Sequence, residues 1–150
     1  MADIAPVVPA AGRLILDTGG VLALAARSRR ARSVLDYAAS RRMRVLVPAV
    51  VVAQCIRGGP RDAPVNRVLR AVGDSLIVTE LLARQAGVLL GAAADQQPAD
   101  RQSWSDAVEA IVVAAALQDL PAAILTSDPG DIGRLVQASQ GHGQVQVIAV

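Results

Sequence analysis

The sequence predicts an α/β domain built on a mostly parallel sheet of about five strands, with helices on both faces. Three observations predict it. Apolar runs of strand length alternate about five times with longer segments of helical period. No internal repeat and no linker divides the chain. Its 150 residues make one domain, large enough to bury ~70% of its unfolded surface.

Taken in order, residues 1–12 (MADIAPVVPAAG) read as a loose N-terminal tail and 13–150 as the domain. Arg13 to Leu16 is short, apolar and stopped by Asp17, as a buried strand is. Helical period runs through Val21 to Ala26 and again from Ala31 to Arg42, where Val34, Leu35 and Ala38 share a face. Val45 to Val47 is a second strand. It is closed by Pro48, which suits the first turn of the next helix, and that helix, about Ala49 to Arg57, ends at the Gly58-Gly59-Pro60 stop signal. A short helix over 63–72 precedes a strand at Ser75 to Thr79, and helical period returns from Leu81 to Leu90. Asp95 to Ser103 is a polar loop. Then come a helix (Ser105 to Leu117), a strand (Ala122 to Thr126), a helix (Asp131 to Ala138) and a last strand (Val145 to Val150).

Composition excludes several classes. Hydrophobic residues are 53% of the chain against 19% charged, which rules out disorder as the main state. One Trp (Trp104), one Tyr (Tyr37) and no Phe argue against an aromatic platform for single-stranded nucleic acid and against a sugar cleft. A lone Cys55 excludes an internal disulfide and a Cys-based zinc site. No apolar run reaches the ~18–20 residues of a membrane span, and the start lacks the basic region of a signal peptide. A cytoplasmic protein with no membrane association is expected. The net charge of +2 permits a polyanionic partner without demanding one.

In such a sheet, ligands bind beyond the carboxyl ends of the strands, where the strand order reverses. Five of the 13 acids stand at strand ends or helix starts: Asp17, Asp106, Glu109, Asp128 and Asp131. Asp106 and Glu109, three apart, project from one helix face. Carboxylates gathered in one crevice repel one another unless a cation joins them. Mg²⁺ or Mn²⁺ suits oxygen donors and can activate water for phosphodiester hydrolysis. Each acid also has a structural reading. Asp17 suits a helix N-cap, Ser103-Trp-Ser-Asp106 a capping box, Glu109 a helix first turn, and Asp128-Pro129 a cap that Asp131 completes.

These residues resemble the PIN-domain ribonucleases, specifically the VapC-type toxins of toxin–antitoxin pairs. LILDTGGVLAL is similar to that family's opening strand–Asp–Thr/Ser–helix, VPAVVVAQCIRGG to its second segment, DAVEAIVVAAAL to its acidic helix and AAILTSDPGDIGRL to its closing TSD element. The resemblance, over about Leu14 to the C-terminus, implies a PIN-like three-layer α/β/α sandwich, often a homodimer. It implies an endoribonuclease that cuts RNA with Mg²⁺ or Mn²⁺ and is blocked by a cognate antitoxin. By position, Asp17 carries over as the first metal ligand and Asp128 as the last core acid. Glu109 takes the place of the family's helix Asp, with Asp106 sharing that role, and Asp131 is a peripheral ligand. Thr18 and Ser127 are placed to orient waters or hold the carboxylates. Gln54 stands where the family typically has Glu, and an amide brings no negative charge.

The basic residues add a second layer of expectation. Seven Arg lie between Arg27 and Arg44, among them Arg29, Arg30 and Arg32, and Arg57 and Arg61 follow the Gln54 helix. Their functional reading is contact with an RNA backbone or an acidic antitoxin tail; their structural reading is a solvated helix face. His142 has no partner acid, and Cys55 reads as a small core residue. The DTG string also occurs in aspartic proteases, but that fold is almost all β, and here long helical segments follow. The rival reading is a catalytically impaired PIN-fold protein that binds RNA or a partner, with Gln54 as its mark.

Overall fold

The computed structural model describes residues 12–73, 75–96 and 106–150, the side chain of Asp106 excepted. All of the 1–12 tail except Gly12, most of the Asp95 to Ser103 loop, Trp104 and the Ser103 cap lie outside the described residues.

Five strands form one sheet: β1 (Arg13–Leu16), β2 (Arg44–Pro48), β3 (Ser75–Leu76), β4 (Ala122–Thr126) and β5 (Val145–Ala149). Their order is β3-β2-β1-β4-β5 and every pairing is parallel. Leu14, Ile15 and Leu16 of β1 and all of β4 are buried, as expected of strands covered on both faces.

Among the described residues seven α-helices connect them: α1 (Thr18–Ala25), α2 (Arg29–Ser40), α3 (Ala49–Cys55), α4 (Ala63–Val72), α5 (Glu80–Ala94), α6 (Asp106–Leu117) and α7 (Pro129–Ala138). The chain first steps outward from β1 to β2 to β3, then crosses back to β4 and on to β5. Parallel crossovers are right-handed, so the outward steps put α1–α4 on one face and the return steps put α5–α7 on the other. The packing agrees: α1 lies against α2, α3 and α4, while α5, α6 and α7 lie against one another. The result is the three-layer α/β/α sandwich. Its direction reverses between β1 and β4, which is where such sheets open a crevice. No helix among the described residues is long and apolar enough to cross a membrane.

Several boundaries differ from the sequence reading. The first helix starts at Thr18, not Val21, because Asp17 caps it and both glycines enter its first turn. Pro48 closes β2 and the next helix starts at Ala49, as the sequence reads, but that helix ends at Cys55, short of Arg57. The third strand is Ser75–Leu76 and stops short of Thr79. The reason lies in β2, which turns into α3 after Pro48 and leaves nothing beyond Leu76 to pair with. Thr79 instead caps α5, accepting from the Leu82 N–H at 3.2 Å. Finally, α7 begins at Pro129, directly after its cap Asp128.

Candidate metal centre

Leu16 of β1 and Leu125 of β4 lie in register. The Asp17 N–H donates to the Leu125 carbonyl at 3.2 Å and carries the ladder one step further. The acids that follow the two strands therefore emerge side by side. Asp17 then caps α1, its Oδ1 accepting from the Gly20 N–H at 2.7 Å. The glycines let the helix come this close. A Cβ on Gly20 would sit 2.5 Å from the Leu125 carbonyl oxygen, and one on Gly19 would run into Ser127, 2.7 Å from its backbone nitrogen.

Thr126, fully buried, links the two acids. Its hydroxyl donates to the Asp17 carboxylate, and its Oγ1 accepts from the Asp128 N–H at 2.9 Å. Asp128 caps α7, accepting from the Asp131 N–H at 3.1 Å. Burial pushes the Asp17 carboxyl above its ordinary 3.8, the bonds from Thr126, Gly20 and Gly19 pull it down, and the Asp128 charge adds a smaller upward push.

Glu109 reaches the same place from α6, which packs beneath β1 and β4. Its Oε2 is buried. Glu109, Asp128 and Asp131 each present a carboxylate oxygen, and the three oxygens lie within 4.8 Å of one another. Asp131 is ion-paired with Arg134 one turn later. Three clustered carboxylates are hard oxygen donors, and this donor set fits Mg²⁺ or Mn²⁺. Asp17 is not one of the three and meets the cluster through Thr126 and the charge of Asp128. Asp106 opens α6 one turn before Glu109, and its side chain lies outside the described residues.

Around the acids, the Thr18 hydroxyl donates to the Gln54 side-chain oxygen and ties α1 to α3. Ser127 is exposed and packs against Gly19. Cys55 is buried beside Gln54. Burial pushes its thiol up, Arg57 pulls it down, and the nearby Asp17 charge pushes it up again. The Arg57 guanidinium donates to the Ala53 and Ile56 carbonyls at 3.3 and 2.9 Å, so it caps the end of α3. Arg61 is exposed on the 3₁₀ turn Pro60–Asp62. On α2, the Arg30 Nε donates to the Ala149 carbonyl at the end of β5, while Arg29 and Arg32 are exposed.

Two residues escaped the sequence reading. Thr126 is the polar end of an otherwise apolar strand, and that contrast was its signal. Asp62 is buried and accepts from the Gly58 and Arg57 N–H groups at 2.7 and 3.1 Å, which closes the α3–α4 turn. An Asp after Gly-Gly-Pro-Arg signals only a turn, so its burial was not legible. Neither a protein-family model nor a curated protein matches this chain.

Proposed function

We propose that the chain is a metal-dependent endoribonuclease of the PIN-domain, VapC-toxin kind, which hydrolyses RNA phosphodiester bonds with Mg²⁺ or Mn²⁺. One observation carries the reading: carboxylates from three separate elements converge where the direction of a parallel sheet reverses. Glu109, Asp128 and Asp131 are the residues to hold the cation, with Asp131 also paired through its Oδ1 to Arg134. A cation bound there supplies an activated water and charge for the departing oxygen. Asp17, kept from bulk water beside Asp128, holds a proton to higher pH than an ordinary carboxyl. Thr126 orients it against Asp128. A cognate antitoxin that covers the crevice, a homodimer and a cytoplasmic setting belong to the same reading.

The test is cleavage of total RNA by the purified chain in Mg²⁺ and in Mn²⁺, with Asp17→Asn and Asp128→Asn in parallel. Discrete products that vanish in EDTA and in both variants are the expected outcome. Cleavage that survives both substitutions would sink the reading.

A second reading is favoured by Gln54, whose neutral amide is engaged by Thr18 at the edge of the crevice. On it, the chain keeps the fold to bind RNA or a partner and no longer cuts. RNA binding that persists in EDTA with no cleavage in Mn²⁺ would support it. Strong activity gained by Gln54→Glu would identify the missing charge as the cause.

A further inference from the structure

The net charge of +2 conceals a separation that the layers bring out. Residues 18–72, which hold α1–α4, carry eleven Arg against two acids, Asp36 and Asp62. Among the described side chains, those of 75–144, which hold α5–α7, include two Arg (Arg84 and Arg134) against six acids, of which Glu109, Asp128 and Asp131 line the crevice and Glu80, Asp95 and Asp119 lie outside it. One helical layer is therefore strongly basic, and the other, taken with the crevice, is acidic. The pairing follows the same division. The Arg84–Glu80 and Arg134–Asp131 ion pairs both lie in the acidic layer, and among the described residues no Arg of α1–α4 is ion-paired to an acid.

We propose that the α1–α4 face is a track for the phosphate backbone of RNA, leading to the acidic crevice, while the α5–α7 face repels it. The proposal deepens the ribonuclease reading and rests on it for the identity of the polyanion. Arg29 and Arg32 on α2, and Arg67 and Arg70 on α4, are exposed, one turn apart within each pair. Arg30, bonded to the last carbonyl of β5, fixes the start of α2 at the crevice edge of the sheet. Arg presents a planar fork that matches phosphate oxygens, and a field of one sign over one face steers a polyanion onto it. RNA is favoured over an acidic protein because a protein partner needs apolar anchors. Leu22 is the exposed large apolar residue of this face, whereas Ile77, Leu81 and Val88 lie outside it, beside and on α5.

The experiment is fluorescence anisotropy with a labelled 20-nucleotide RNA in EDTA, where binding is read without cleavage, over a salt series. The whole chain is compared with Arg29→Gln/Arg32→Gln, Arg67→Gln/Arg70→Gln and, from the acidic layer, Arg84→Gln. Each double substitution is expected to weaken binding about tenfold near 0.1 M salt and to flatten the log–log salt slope by about 1.4. Arg84→Gln should match the unsubstituted chain. Two separate pairs guard against one that fails to fold, and thermal melts identify it. Unchanged binding by both folded double variants overturns the proposal. Loss of poly-glutamate binding in those variants, with no RNA bound by any form, also overturns it and assigns the face to an acidic protein. RNA bound through these arginines with no cleavage in Mn²⁺ upholds the track and refutes the nuclease. Cleavage in Mn²⁺ that neither double variant slows, with no binding in EDTA, does the reverse.

Discussion

Asp17 serves at once as a helix cap and as a buried carboxylate, and the two roles pull its proton affinity in opposite directions. In the unfolded chain it titrates near 3.8; in the folded chain burial outweighs the bonds from Thr126, Gly20 and Gly19. The folded state therefore keeps this proton to higher pH, and its contribution to stability falls as pH rises through that window. Asn at this position retains an acceptor for the Gly20 N–H and loses the charge. Asp17→Asn in EDTA is thus expected to melt above the unsubstituted chain at pH 8, with the gap closing as pH falls towards 3.8. A gap that widens on acidification would mean that the cap bonds dominate over burial. On the ribonuclease reading the same substitution is expected to abolish cleavage, so stability and activity would part company at this residue. Asp17, Asp128 and Glu109 were legible in the sequence because a carboxylate just after a strand or in a first helical turn has few places to go. Thr126 was not, since a hydroxyl that ends a buried strand looks the same whether it bridges two acids or bonds its own backbone.

Within the elements, the distance between α1 and β4 decides whether the acids meet at all. Glycine is a poor helix former, so Gly19-Gly20 pushed the expected helix start towards Val21. Close approach outweighs that propensity, and the helix begins with the glycines because nothing larger fits against Leu125 and Ser127. Gly20→Ala is expected to cost about 1–3 kcal/mol, since the Leu125 carbonyl is backbone and cannot swing aside. Denaturant unfolding would measure it, and an unchanged midpoint would mean that α1 can lift off the sheet freely. Leu125, in contrast, was readable from its apolar run alone. Strand β3 was overread because Ser75 to Thr79 has the composition of a strand, whereas its length is set by where β2 turns at Pro48. A partner's geometry is not written into the segment it pairs with.

Over the whole molecule, the alternation of strands and helices was enough to expect a parallel sheet with two helical layers. The order β3-β2-β1-β4-β5 was not readable from residues alone, and with it went the charge separation, which has meaning only once each helix is assigned to a face. Leu16 pairs with Leu125, so the acids of the crevice come from opposite ends of the chain. A chain ending at Leu120 would hold Asp17 and Glu109 but neither Asp128 nor Asp131, and β1 would lack its inner neighbour. Such a fragment is expected to show no cooperative melting transition and no cleavage; a sharp transition would mean that β1–β3 with α1–α6 fold alone. During synthesis the polypeptide passes through every such length. On the ribonuclease reading, a ribosome making this chain would carry a harmless product until the β4 segment emerges, and the order of translation itself would act as a safety catch.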